Sequence, residues 1–443
     1  MQYFKKNVLK TAITFAAILT FTFTASAQKL SLEQCIDTAL QYNRNVILSQ
    51  LDIDIASAKS KEIRGNLLPK LNGVADYRYY TNLPYQLMPA EAFGGPEGTY
   101  KEVQFGVPQS LNANLQIALP LFNSSAISAV KTSQVAAELL DIQKIKTNEE
   151  VVMEVSNAYY NAQILLYQLE FLDSNIINTD KLVKTTNLLH QQQLAKGTDV
   201  DRLRLQSEQI RSQRSTVFSQ HQQALNALKF LMGKPLSDSI EVSKGEKSIT
   251  EKVFQANTTT DITLINKKIE LNMSELRSIR NSALPSIGAY GMYGTTGFGT
   301  TGDNSFFNLH PIGYVGAQLS IPIFNGRIIK HKISGKKIEI EKSTIQKELV
   351  TEKTSLDMRN ADIQYELAKR NIALVASQAE LANKIYDNTV LQNQQGLVNI
   401  TDILLADNAL RESQHNYLVA LINLRKAELE YKRVTGNLLP NKY

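Results

Sequence analysis

From Ser124 to Gln193 the sequence runs for seventy residues without a glycine or a proline. Helical throughout, such a run reaches roughly 105 Å, far beyond the helices of ordinary globular domains. Arg327 to Gln394 repeats it, broken only by Gly335. Both runs carry apolar residues at intervals of seven: Ile145, Val152, Tyr159 and Leu166, then Leu169, Ile176 and Val183; later Leu349, Leu356 and Ile363, then Leu367, Leu374 and Leu381. A repeat of 3.5 residues per turn predicts left-handed supercoiling against neighbouring helices. Most other positions are Gln, Asn, Ser, Lys or Glu, so a wide face of each helix stays in water.

The two long runs belong to two halves of one design, residues 28–232 and 264–443, joined by a polar connector at 233–263 that predicts little regular structure. Each half opens with a helix ending at Leu-Pro, Leu68-Pro69 and Leu284-Pro285. The first such helix has Ser31 as N-cap with Gln34 three residues on, a capping-box spacing, and is expected to run to Asn66. Leu119-Pro120-Leu121-Phe122-Asn123 is answered by Ile321-Pro322-Ile323-Phe324-Asn325. Each long helix then meets a glycine, Gly197 or Gly396, expected to close it in the left-handed conformation, and a return helix follows, 200–232 or 401–434. Pro69, Pro120, Pro285 and Pro322 are placed at strand–helix joins, where a missing N–H is tolerated.

Between these helices lie segments of period two. Leu111, Ala113, Leu115, Ile117 and Leu119 alternate with Asn112, Asn114, Gln116 and Ala118; Val315, Ala317, Leu319, Ile321 and Ile323 alternate with Gly316, Gln318 and Ser320. Leu71–Tyr79 alternates as well, and Ile287–Gly294 is the weakest of the four. Alternation alone fits a soluble sandwich equally well. Two observations favour membrane strands: an export signal, and pairing of the strands across glycine- and proline-rich loops. Four strands cannot close a barrel, and backbone groups in lipid must all be paired. Several copies are therefore needed, eight strands from two or twelve from three.

Residues 1–27 read as a secretory signal peptide: Lys5, Lys6 and Lys10, an apolar run Ala12–Leu19, and Ala25-Ser26-Ala27 before Gln28. Its removal takes the formal charge from +6 to about +3, too weak a balance to point to nucleic acid. Cys35 is the only cysteine, which excludes an internal disulfide and multi-cysteine metal clusters; it reads as a plain buried thiol. The five histidines have no metal-ligand partner at helical spacing, and no phosphate-cradling loop or nucleophile elbow occurs. No metal, cofactor or catalytic group is expected.

In this order the motifs resemble the TolC-like outer-membrane efflux family over nearly the whole chain: Leu30 to Leu40 at the start, both Leu-Pro helix ends, both Pro-x-Phe-Asn strand ends and both glycine turns. The resemblance implies a mostly α fold with a small membrane β-barrel portion. In a homotrimer the strands would make a shared 12-stranded barrel in outer-membrane lipid, continuous with a periplasmic α-barrel of long coiled helices. It implies a passive exit duct of a tripartite efflux or secretion system, working with a periplasmic adaptor and an inner-membrane transporter. It also implies a periplasmic constriction at Asp402, with Leu405 where the family carries a second aspartate. Asp199 and Asp201 could add negative charge there, although acidic residues at a helix start also suit the helix dipole. Lys196, Gly197, Thr198, Gly396, Leu397 and Val398 would be the adaptor-docking tips. The competing reading is a trimeric periplasmic or surface coiled-coil protein with structural or adhesive function.

Overall fold

A computed structural model describes residues 28–244, 258–300 and 308–439; the signal segment 1–27 and part of the connector lie outside the described residues. Backbone contacts divide the chain into two compact units, each drawn from both sequence halves. One comprises 1–50, 144–261 and 351–443, the other 51–143 and 262–350.

In the first unit, β1 (Gln28–Leu30) precedes α1 (Leu32–Tyr42), which starts with the expected capping box between Ser31 and Gln34. The helix does not run on to Asn66. It breaks at Asn43, whose backbone is extended (φ −62°, ψ 134°), and restarts as α2 (Arg44–Gly65). Asn43 holds the break from both sides: its Nδ2 donates to the Leu231 carbonyl at 2.7 Å, and its Oδ1 accepts from the Asn45 N–H at 2.8 Å.

The first glycine-free run forms α3 (Ser124–Gln191), followed by α4 (Gly197–Leu231). Gly233 then takes φ +67°, and a Cβ there would lie 2.2 Å from the Tyr42 carbonyl oxygen. Only glycine fits that approach. The connector, expected to be irregular, contains β6 (Ile240–Val242), which pairs in parallel with β1. Tyr159 of α3 fastens the pair: its hydroxyl lies 3.2 Å from the Leu30 carbonyl and 2.9 Å from Ser243 Oγ. Cys35 is fully buried in this core, and burial pushes its thiol up to about 12.

The second half contributes α5 (Thr260–Asn281), α6 (Ile328–Gln394) and α7 (Ile400–Val434). In the first unit, Ile164 and Tyr167 of α3 pack with Ile372 of α6 and with Leu418, Leu421 and Leu424 of α7. Along α3 the predicted apolar rows are largely covered, with Val152, Tyr159, Leu169 and Ile176 all buried.

Along α6 the rows are not covered. Ile345, Leu349, Leu356, Ile363, Leu367, Leu374, Leu381 and Ile385 are all between 50% and 64% exposed. Successive steps of four, seven and seven residues give eighteen residues per five turns, the 3.6 period of a straight helix. The seven-residue rows are thus linked by four-residue steps into one continuous apolar stripe along α6.

The second unit holds a four-stranded antiparallel sheet in the order β2 (Lys70–Tyr79), β5 (Gln109–Asn123), β7 (Ser286–Gly299), β8 (Leu309–Ser320). The loop between β2 and β5 carries its own hairpin, β3 (Tyr85–Pro89) with β4 (Tyr100–Gln104). The strand with the weakest alternation, β7, proves to be central and fourteen residues long. Its glycines explain both facts. Gly294 sits where a Cβ would lie 2.3 Å from the Ala113 carbonyl oxygen, and the rings of Tyr293 and Tyr290 lie over Gly313 and Gly316 of β8. Glycine removes side chains from the pattern while letting strands and rings approach closely.

Candidate functional site

Pairing registers assign every strand residue to a face, since directly opposed residues share one. Leu71, Ala75 and Tyr77 of β2 oppose Ile117, Ala113 and Leu111 of β5. Leu115, Ile117 and Leu119 in turn oppose Tyr293, Gly291 and Ala289 of β7, which oppose Gly313, Val315 and Ala317 of β8. This face carries no charged residue in any of the four strands. The other face holds Asn72, Asp76, Arg78, Asn112, Asn114, Gln116, Thr296 and Gln318. On it Arg78 Nε meets Asp76 Oδ1 at 2.8 Å, and Thr296 Oγ1 meets Asn112 Oδ1 at 2.6 Å. Tyr290, Met292, Ile312 and Tyr314 of β7 and β8 share this second face, so its charges and amides come mainly from β2 and β5. An uncharged face opposite one carrying the charges is the division a strand needs between lipid and an aqueous lumen.

Among the described residues, the outer edges of β2 and β8 have no partner strand. The two Pro-x-Phe-Asn motifs behave differently. In β5, Pro120 lies within the strand, and a bulge between Pro120 and Phe122 sets Phe122 opposite Ile287, on the apolar face. In the second half β8 stops at Ser320, so Pro322, Ile323 and Phe324 follow it outside the sheet, with Ile323 92% and Phe324 83% exposed. Pro69 and Pro285 stand immediately before β2 and β7. No helix among the described residues is long and apolar enough to cross a membrane.

The two helical turns differ as well. Gly396 closes α6 in the expected left-handed conformation (φ +76°), with the Leu397 N–H bonded back to the Gln392 carbonyl at 3.0 Å. At the first turn Gln193, not Gly197, is left-handed (φ 61°), and Gly197 is the first residue of α4. The five residues between α3 and α4 move the turn upstream of the glycine, and His190 Nδ1 lies 2.9 Å from the Ala195 carbonyl across it.

Lys196, Thr198 and Leu397 are exposed, and Gly197 and Val398 are half-buried. Asp402 forms a capping box with Asn399, its Oδ2 accepting the Asn399 N–H at 2.9 Å. Asp199 and Asp201 lie 4.0 and 3.9 Å from Arg202 and Arg204 on their own helix. Arg202 also reaches Thr401 Oγ1 at 3.4 Å, which brings the two turns together.

Sequence reasoning passed over a buried bridge near these turns. Gln206 Nε2 of α4 donates to Asp407 Oδ2 of α7 at 2.9 Å, and Arg411 Nε lies 3.1 Å from the same oxygen. Burial pushes the Asp407 carboxyl up, opposed by Arg411 and by the Gln206 bond. Burial, with the Asp407 charge beside it, also pushes the Tyr386 hydroxyl up to about 12. The signal was present in the sequence: Ile400, Ile403, Asp407 and Leu410 recur at helical spacing, which places one carboxylate on an otherwise apolar stripe.

These features, an open sheet with one lipid-compatible face continuing into helices of 68 and 67 residues, match known proteins. A family model described as outer membrane efflux protein fits residues 35–234. The outer membrane protein TolC of Escherichia coli (strain K12) is 21% identical over 436 residues, covering 91% of this chain and 83% of its own. Over that stretch the chain is similar to the outer membrane efflux protein family. Solved structures share its fold. The outer membrane protein VceC of Vibrio cholerae aligns with a TM-score of 0.74 at 14% identity, over 91% of this chain and 96% of its own. The CmeC outer membrane channel of Campylobacter jejuni aligns with 0.73 at 15% identity, over 93% and 87%.

Proposed function

We propose that three copies of this chain close a twelve-stranded barrel and serve as the passive outer-membrane section of a tripartite route from an inner-membrane transporter through a periplasmic adaptor. The observation that carries this reading is the open sheet with unpaired edges at β2 and β8. In lipid those edges require partners, and the sequence offers the same two edges on every copy. Two copies would give eight strands, an interior just wide enough for side chains to fill. Three leave room for a lumen lined by the polar face.

The helices support the same seam. The one leading into edge strand β2 is α2, which exposes Leu48, Leu51 and Ile55; the one that follows edge strand β8 is α6, with its long exposed apolar stripe. Joining β8 of one copy to β2 of the next sets α2 beside the β8-proximal part of this stripe and leaves the rest to the helices further from the sheet.

At the turns, Asp402, Asp199 and Asp201 supply carboxylates for a cation-attracting constriction, and the exposed residues Lys196, Thr198 and Leu397, flanked by Gly197, Gly396 and Val398, supply the surface an adaptor meets. Conductance of purified protein in planar bilayers tests the duct. Asp402→Ala is expected to keep conduction and reduce preference for cations. Folded trimers that never pass ions, in either form, would overturn the duct reading and favour a solid coiled-coil protein. Cysteines placed at Thr198 and Val398 are expected to crosslink to a periplasmic adaptor; recovery of only an inner-membrane transporter would refute the docking assignment.

A further inference from the structure

Where the strands meet the helices the chain is basic and lacks carboxylates. Residues 63–75, 110–137 and 304–338 contain no Asp or Glu, yet they carry Arg64, Lys70, Lys131 and a dense group from Arg327 to Lys337. In that group Arg327, Lys330, Lys332 and Lys337 are exposed. Only Lys336 is paired there, with Glu275 at 2.7 Å and with Glu339; the other four have no carboxylate partner among the described residues.

Immediately before the basic group stand Ile321, Ile323 and Phe324, all exposed and contiguous with the apolar face through Val315 and Leu319. Gly326 and Arg327 both adopt left-handed backbone (φ 61° and 64°), so the chain turns sharply between the apolar and the cationic groups. The corresponding join of the first half, Asn123 to Val130, has no cation at all.

From this juxtaposition we infer that the β8–α6 join, Ile321 to Lys337, binds anionic phospholipids of the periplasmic leaflet: Ile323 and Phe324 meet acyl chains while Arg327, Lys330, Lys332 and Lys337 hold headgroup phosphates. Apolar groups beside unpaired cations, at the end of a lipid-facing strand, match the two chemistries of one such lipid. A neighbouring copy does not replace it. In the proposed seam the join that comes alongside is that between α2 and β2, whose Arg64 and Lys70 are also cationic, so protein alone would set like charges against each other. A phosphate between them removes that repulsion.

The inference rests on the reading of the sheet as a membrane barrel, and conductance separates failure of that reading from failure of the lipid site. Full-length protein is reconstituted in vesicles of equal phosphatidylglycerol and phosphatidylcholine, extracted in mild detergent, and its retained lipids are counted by native mass spectrometry. Wild type is expected to retain phosphatidylglycerol over phosphatidylcholine by at least about fivefold, and R327Q/K330Q/K332Q/K337Q to fall to about onefold, with conductance and trimer size unchanged. F324S is expected to lower retention of both lipids.

If the quadruple variant does not assemble, R327Q/K330Q and K332Q/K337Q are measured separately, and each is expected to lose part of the preference. Equal retention of the two lipids by wild type, or an undiminished preference in conducting variants, would overturn the inference. So would displacement of bound phosphatidylglycerol by millimolar inorganic phosphate, which would mark a site for soluble anions.

Discussion

Replacing Leu356 and Leu374 of α6 with alanine separates the stability of one chain from that of the assembly. Both are exposed in the single chain, at 58% and 64%, so the monomer fold is expected to change by less than about 0.5 kcal/mol. Burying the exposed part of a leucine contributes about 1–1.5 kcal/mol, and truncation to alanine forfeits about 1 kcal/mol of it. With two sites at each of three seams, the trimer is expected to lose about 6 kcal/mol, or about four orders of magnitude in its dissociation constant. The assay is sedimentation against protein concentration in mild detergent, with helicity followed by circular dichroism. Ile372 on the same helix provides the contrast: it is 4% exposed and packs within the chain, so Ile372→Ala is expected to cost about 2–4 kcal/mol in the monomer itself. A trimer as stable in L356A/L374A as in wild type, with helicity retained, would refute the placement of the stripe in the seam.

Gly294→Ala drives a methyl against the Ala113 backbone of a paired strand and is expected to cost about 3 kcal/mol, seen as loss of assembled protein after refolding into detergent. Gly335→Ala, within α6 with nothing nearby, is instead expected to stabilise by about 0.5–1 kcal/mol, read as a raised Tm. His221 is buried against the Ala162 carbonyl at 3.0 Å, and burial holds its pKa below the ordinary 6.5. Its contribution to stability is thus present above that value and lost as pH falls through the lower folded one. Wild type is expected to lose more Tm than His221→Gln between about pH 7.5 and pH 5, and identical slopes would refute the assignment.

Long-range periodicity made most of this architecture legible. Seventy residues without a breaker leave little alternative to α3, and the clean alternation of Ser110–Phe122 gave β5 and its apolar face. What escaped depended on partners distant in sequence. The break at Asn43 is set by the Leu231 carbonyl, and the left-handed Gly233 by the approach of Tyr42. The β1–β6 pair joins segments about two hundred residues apart, too short for either to show a pattern of its own. The first turn misled because Gly197 drew the left-handed assignment that Gln193 takes. At the site, Asp402 stands out in the sequence only through the family resemblance, and the structure gives it a capping role with Asn399; Asp407 is hidden by an apolar stripe in which it is the exception.

Closure of the open sheet by identical copies is tested most directly with disulfides across the seam. Cys35 is buried and its thiol is held protonated, so the native chain supplies no competing cysteine. Asn72→Cys on β2 is combined in turn with Tyr314→Cys, Gln318→Cys or Ser320→Cys on β8, all on the polar face of the sheet. After oxidation in membranes, at least one pairing is expected to give covalent dimers and trimers and nothing larger, with the trimer still conducting. A ladder continuing beyond three chains, products that stop at dimers, or no crosslink in any folded pairing would contradict a barrel closed by three copies.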